Sequence, residues 1–235
     1  RRNVWCVSRE ENYEMLDSIF SEIMRLFPSE YIHIGGDEVA FEQWSGCPHC
    51  QELATKAGLT DGRQLQYHFM KRLEGIIARH GRMSAVGNEA INGGELPATV
   101  RVHGWENVKV CREAASKGYS TVVMPGSSFY FDMKYAKGEP GMQWAGIVPA
   151  EKVYSFDFEK QGFTAEQMKN VIGVSGAFWA ELYLSNGDGY LYRQVWPLIC
   201  ALSEVAWSAD AAKNRDDFFA RLDNHYPRLE ALGIK

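Results

Sequence analysis

Apolar residues recur along this chain with two alternating periods. From Tyr13 to Phe27, the residues Met15, Leu16, Ile19, Phe20, Ile23, Met24 and Phe27 keep the three-to-four spacing of an amphipathic helix, which Ser8 or Glu10 precedes and Pro28 stops. Tyr31 to Ile34 is a short β-branched and aromatic run that reads as a buried strand. The same alternation continues. Gln64 to His80 predicts a long helix, with Leu65, Phe69, Leu73, Ile76 and Ile77 on one face and Gly81 closing it. Strands are predicted at Met83–Gly87, Val100–His103, Thr121–Met124 and Val171–Phe178, and helices at Val108–Lys117, Tyr190–Trp207 and about Asp216–Leu232. Asn3 to Val7 is apolar enough to be the end of a further strand.

Strands alternating with helices, with polar and aromatic residues after each strand, describe an α/β fold of the (β/α)8 TIM-type barrel, whose site sits at the C-terminal ends of the strands. A closed barrel needs eight strands, and five good ones with one partial one are legible here. The expectation is therefore one domain over residues 1–235, including a terminal helix in 214–235, that forms roughly the C-terminal two thirds of a barrel. A piece of that kind would expose open sheet edges. An N-terminal barrel segment is accordingly expected in the full protein, or a partner segment that completes the barrel.

Composition narrows the function classes. Apolar residues make up 46% of the 235, enough for a sizeable core. A net charge of −5 with a pI near 5.7 gives no basic footprint for nucleic acid or an anionic membrane surface. No apolar run is long enough to span a membrane. Seven Trp and 13% aromatic residues suit a site that stacks sugar rings, although aromatics also fill cores. The five cysteines, Cys6, Cys47, Cys50, Cys111 and Cys200, are too few for a dense disulfide framework. Cys47-Pro48-His49-Cys50 has the spacing of half a zinc site, but no second C-x-x-C or His pair accompanies it. It reads as structural thiols or a local disulfide.

The candidate chemistry is concentrated in YIHIGGDEVAFEQW, Tyr31 to Trp44. Side chains of a regular strand alternate between its faces, so Asp37 and Glu38 address one pocket only where the strand breaks, and Gly35-Gly36 supplies the break. Two adjacent carboxylates push their proton affinities apart, which suits one to donate a proton and the other to remain ionised. Acidic pairs also gather at helix N-termini. The strand, the double glycine and His33 weigh against that reading.

The sequence His33-Ile34-Gly35-Gly36-Asp37-Glu38 resembles the His-x-Gly-Gly-Asp-Glu signature of family 20 glycoside hydrolases, the β-N-acetylhexosaminidases, at every fixed position. The resemblance runs over nearly the whole chain. It implies exo-acting hydrolysis of terminal GlcNAc or GalNAc from glycans by substrate-assisted, retaining catalysis, with no metal or cofactor. Asp37 matches the residue that orients and charge-stabilises the 2-acetamido nitrogen. Glu38 matches the general acid and later base. In Ser127-Ser128-Phe129-Tyr130-Phe131-Asp132, Tyr130 matches the donor to the acetamido oxygen and Asp132 a residue that grips a sugar hydroxyl. Trp179 and Glu181, in Phe178-Trp179-Ala180-Glu181, match the floor under the ring and a ligand for the 4- or 6-hydroxyl. Trp105 matches a wall of the acetamido pocket and Trp144 an aromatic from the long loop after the family's seventh strand, an apolar cage that suits a methyl group, and His33 is expected to orient the carboxylates.

Two departures accompany the match. Where the family usually carries Gly-Trp-Asp-Glu after its fifth strand, this chain reads Val86-Gly87-Asn88-Glu89, so Gly87 stands at the position of a pocket Trp. The Arg that the family carries on its first strand is not assignable. The competing functional class is a non-catalytic family member that binds amino sugars. The implied substrate is a terminal N-acetylhexosamine of oligosaccharides or glycoconjugates, which favours a periplasmic or secreted location.

Overall fold

A computed structural model describes residues 4–234. The chain forms two compact units: residues up to His103 together with Lys117–Thr121, and Gly104–Ser116 together with the chain from Val122 onward.

In the first unit α1 (Glu10–Leu26) leads into β1 (Tyr31–His33). Glu10 and Glu11 lie in the first turn of α1, where exposed amides favour negative charge, and the chain turns extended at Phe27, ahead of Pro28. The helix α1 buries the stripe Tyr13, Phe20 and Met24. Met15 and Ile19, predicted on the same face, are exposed because they fall on a neighbouring stripe, and Phe27, also predicted there, is exposed because it lies in extended chain past the helix end. Two short helices, α2 (Phe41–Ser45) and α3 (Pro48–Ala57), precede the long α4 (Gly62–Arg79). Asp61 caps α4 by accepting the N–H of Gln64. β2 (Met83–Gly87) then lies parallel to β1, with Ile32 opposite Ser84, and β3 (Arg101–Gly104) lies parallel to β2, with Val86 opposite Val102. Tyr13, Phe20, Met24 and Ile32 pack with Leu73, Ile76 and Ile77 of α4 into one core.

In the second unit, α5 (Val108–Ser116) follows β3, and β4 (Ser120–Val123) ends beside it, with the N–H of Met124 donating to the carbonyl of Gly104 at 3.0 Å. Short helices α6 (Gly126–Phe129), α7 (Ala150–Tyr154) and α8 (Ala165–Met168) lead to β5 (Val171–Val174). β5 is joined to β4 through the N–H of Ser175 and the carbonyl of Val123. Helices α9 (Tyr183–Trp207) and α10 (Arg215–Ala231) close the unit. Phe129, Phe131, Met133, Val148, Leu198, Ala201 and Phe218 are among its core residues.

Three predicted elements differ. Asn3 lies outside the described residues, and Val4–Val7 form no strand: Val7 turns, and its side chain is buried against Trp44 and Cys50 instead. The last strand stops at Val174 rather than Phe178, just after Gly173 takes a φ of 153°. The helix predicted from Tyr190 is preceded by a turn that Gly187 separates from it, at φ 71° and ψ −169°.

Ile77 of α4 is fully enclosed. Ile77→Ala is expected to lower the unfolding free energy by about 2–4 kcal/mol, read as a shift of the denaturant midpoint at unchanged slope.

Candidate active site

The first unit carries the acidic pair. Ile34 keeps one strand-like bond beyond β1, its N–H donating to the carbonyl of Ala85 at 2.8 Å. Gly35 and Gly36 then take φ values of 76° and 106°, which a side chain resists. Gly36 is required for a second reason, because a Cβ there would lie 2.7 Å from Cβ of Ala90 and 3.2 Å from Cε of Met70. Three bonds hold this turn. Gln66 on α4 donates from Nε2 to the carbonyl of Gly36 at 2.6 Å, and Gly87 donates its N–H to the carbonyl of Gly35 at 3.0 Å. His33 accepts the N–H of Gly35 on Nδ1 at 3.1 Å.

Asp37 and Glu38 follow outside regular structure, both exposed. Glu38 has a φ of 56°, the one positive φ outside glycine among the described residues. For a glutamate that conformation costs on the order of 1 kcal/mol. It turns the amide of Glu38 onto Oε2 of Glu89, at 2.9 Å. The carboxylate of Asp37 lies directly over Cα of Gly87, where a Cβ would overlap its atoms. The space that a side chain at position 87 would need is therefore taken up by Asp37 itself.

His33 contributes to the turn rather than to a proton relay with the acids. Its ring meets that of His103 edge-on, 4.9 Å between centroids and 88° between planes. Lost hydration pushes both imidazoles below the ordinary range, His103 to about 4, with the His33 and Arg101 charges adding to the effect. Both rings are thus neutral near pH 7, which agrees with His33 Nδ1 acting as an acceptor.

The second unit carries the aromatic residues. Gly104, at the end of β3, is followed by Trp105, whose carbonyl accepts the N–H of Gly126 at 2.7 Å. Trp105 stacks on Tyr130, 6.2 Å between centroids and 29° between planes. Trp144 stands edge-on to both rings, at 5.9 Å from Trp105 and 5.3 Å from Tyr130. It rests against Gly126, where a Cβ would strike the indole. Trp144 keeps 52% of its surface exposed while Tyr130 keeps 4%, so the cluster has one wet face and one dry face. Tyr130 is tied to the extended segment after β5 through an isolated parallel bridge with Ala177.

Asp132, two residues after Tyr130, is buried, with Oδ1 lacking a hydrogen-bond partner among the described residues. Lost hydration pushes its carboxyl up to about 6, and the charge of Glu181 adds to the rise. A backbone amide of Trp179 offsets part of it. Trp179 itself is 54% exposed, and Glu181 is exposed in the short turn after it.

The fold therefore gathers His33, Asp37 and Glu38 in the first unit, and Trp105, Tyr130 and Trp144, with Asp132 near Trp179 and Glu181, in the second. Sequence reasoning missed Gln66, His103 and the bond from Glu38 to Glu89. A buried glutamine in a helix face carries no local signal, and the other two depend on strands pairing across 50 or more residues. It also missed what fills the place left by Gly87.

Residues 1–210 match the family model described as glycosyl hydrolase family 20, catalytic domain. A β-hexosaminidase of Porphyromonas gingivalis is 31% identical, with 99% of this chain aligned to 30% of that protein. The human β-hexosaminidase subunit beta is 29% identical, with 94% of this chain aligned to 38% of its length. Among solved structures, a family 20 exo β-N-acetylglucosaminidase from Vibrio harveyi, in complex with N-acetylglucosamine, superposes with a TM-score of 0.90 at 30% identity, covering 99% of this chain and 36% of that one. The chain thus spans about a third of the length of these relatives.

Two expected outcomes follow from the geometry. Gly87→Ala overpacks the Asp37 contact and is expected to cost about 1–3 kcal/mol, most of which Asp37→Ala in the same chain restores. A double-mutant cycle of unfolding free energies measures that coupling. Asp132 has a folded value near 6 against 3.8 unfolded, so its charged form destabilises the fold at neutral pH, and the cost is relieved as pH falls through 6. Asp132→Asn is expected to raise stability at pH 7 by on the order of 1–3 kcal/mol and to flatten its pH dependence between about 4 and 7, read by thermal unfolding across pH.

Proposed function

Because the chain belongs to glycosyl hydrolase family 20, and its alternating parallel strands and helices make up part of a (β/α)8 barrel, we propose that the protein containing it is an exo-acting β-N-acetylhexosaminidase. Its substrate is a terminal GlcNAc or GalNAc of an oligosaccharide or glycoconjugate. Residues 1–235 are taken as one partial catalytic domain, including the terminal segment 214–235. The observation that carries the reading is the acidic pair on a glycine-opened turn, with Glu38 in a left-handed backbone conformation that its own side chain does not favour. Strain of this kind is retained where surrounding contacts impose it, and it concentrates at functional sites.

In this reading Glu38 gives its proton to the glycosidic oxygen as the bond to the anomeric carbon breaks. The substrate's acetamido oxygen attacks that carbon, so no enzyme nucleophile is needed, and a cyclic oxazolinium ion forms. Asp37 orients the acetamido N–H and balances the positive charge that develops on the ring. Glu38, now a carboxylate, takes a proton from the water that opens the intermediate, and the anomeric configuration is retained. The contact with Gly87 supports the role of Asp37, since it limits where the carboxylate can go. His33 holds the turn through the amide of Gly35.

Tyr130 is assigned as hydrogen-bond donor to the acetamido oxygen. Trp105 and Trp144 are assigned to the acetamido methyl, whose burial is worth about 25 cal/mol per Å². Trp179, with its exposed face, is assigned to the sugar ring. Asp132 and Glu181 are assigned to hydroxyls. The buried Oδ1 of Asp132 supports this, because a sugar hydroxyl would supply the donor it needs.

Glu38→Gln in the full-length protein is expected to lower kcat by about 10²–10⁴-fold on an unactivated β-N-acetylhexosaminide. The loss is expected to be smaller for an aryl glycoside whose leaving group needs less protonation. Equal rates of wild type and variant on both substrates would refute the acid role.

A further inference from the structure

The two thiols of the C-x-x-C stretch have a third neighbour that no local pattern announces. All five cysteines are unpaired thiols, so the local disulfide considered from sequence is not formed. Cys6, 41 residues ahead of Cys47, brings its Sγ to 3.9 Å from that of Cys47 and 3.5 Å from that of Cys50. The three sulfur atoms lie within 4.8 Å of one another. Each is held by its surroundings. Cys50 is fully enclosed, in a core with Val7, Trp44, Ala54 and Leu65. Cys47 stands at the start of the ten-residue α3, whose first turn opens with Pro48. The segment bearing Cys6 is fixed by Nε1 of Trp44 donating to the carbonyl of Trp5, and by Nδ2 of Asn12 donating to the carbonyl of Cys6, both at 2.8 Å.

These separations discriminate between the things three thiols can do. A disulfide needs its sulfurs about 2.05 Å apart. Zinc bound tetrahedrally at about 2.3 Å per Zn–S bond needs ligand sulfurs about 3.8 Å apart, close to what the fold presents. Thiolate ligands select soft ions, and zinc is the common divalent one. Two features of the surroundings suit an anionic ligand set. The positive end of α3 faces Cys47, and the hydroxyl of Ser8 lies 3.2 Å from Sγ of Cys6, within reach to donate to a thiolate.

We propose that Cys6, Cys47 and Cys50 form a zinc site, with three thiolate ligands from this chain and the fourth position taken by water. The ion ties the segment ahead of α1 to the turn between α2 and α3. The short α2 joins that turn to the loop that carries Asp37 and Glu38, so the site steadies the scaffold of the acids without touching the reaction. Binding releases the thiol protons to solvent.

The test uses the full-length protein. Elemental analysis after desalting is expected to find about one zinc ion that is lost in Cys6→Ser and in Cys47→Ser and kept in Cys200→Ser, a thiol in the other unit. Cobalt(II) added to metal-free wild type is expected to give thiolate charge-transfer absorption and the strong visible bands of a tetrahedral site, absent in Cys6→Ser. Should a Ser variant not fold, wild type alone decides: titration of the thiols with an organomercurial, which forms mercury–sulfur bonds and displaces zinc, should release the ion, followed with a chromogenic chelator. Wild type that takes up neither zinc nor cobalt overturns the proposal. So does a peptide map showing a disulfide between any two of the three cysteines.

Discussion

The exit of the chain from β1 is the constraint on which the first unit depends. Within five residues the backbone leaves a parallel strand, passes through three positive-φ positions and delivers two acidic side chains to solvent. Such a path is unfavourable for most sequences, so it persists only because its surroundings leave no easier one. Met70 and Ala90 close off any side chain at Gly36, Gln66 holds its carbonyl, and Gly87 holds the carbonyl before it. Met70 and Gln66 belong to α4, Gly87 ends β2 and Ala90 lies in the turn just after it, so the packing of α4 against β1 and β2 is also what aims the acids. A core substitution in α4 would therefore be felt at Glu38 through geometry before it was felt as unfolding.

The second unit solves a different problem. A surface that holds an apolar group must be dry on one side and open on the other, and it must not collapse on itself. Trp144 is prevented from collapsing by Gly126, whose missing side chain gives the indole a flat seat, and by Tyr130 and Trp105, which meet it edge-on. Edge-to-face contacts of this kind fix ring angles better than area burial alone. Two residues on from Tyr130, Asp132 is a buried carboxylate that the fold does not fully compensate. A purely structural position would be better served by an uncharged group. A buried carboxylate oxygen without a donor is a costly feature for a fold to keep.

Much of this was legible in the sequence. Where apolar spacing was regular, as in α4 and β2, predicted and observed bounds agree to within two residues, because one buried face decides both. Helix α1 was legible as an element but not in its orientation, since its sequence offers two apolar stripes and only packing chooses between them. The ends of β5 and α9 escaped prediction for the reason that Gly173 and Gly187 mark backbone turns without fixing their direction. The aromatic and acidic residues were identified individually from the family pattern. Their relations, such as the amide of Glu38 on Glu89 or Cys6 beside Cys50, were not, because neighbours 44 or 51 residues apart share no local signal.

Gly87 shows how a departure from a family pattern is best interpreted. Taken as a lost tryptophan, it enlarges a pocket and weakens the case for catalysis. Taken with the structure, it is the position over which the Asp37 carboxylate sits, closer than any side chain would allow. A bulky residue there and the present placement of Asp37 exclude each other. The substitution therefore changes the acid's position together with the pocket's shape, and the two effects cannot be separated by restoring the tryptophan alone. In the proposed reading, any change in preference for the 2-substituent would arise jointly, from the space near β2 and from the position of the Asp37 carboxylate. That coupling follows from steric exclusion alone.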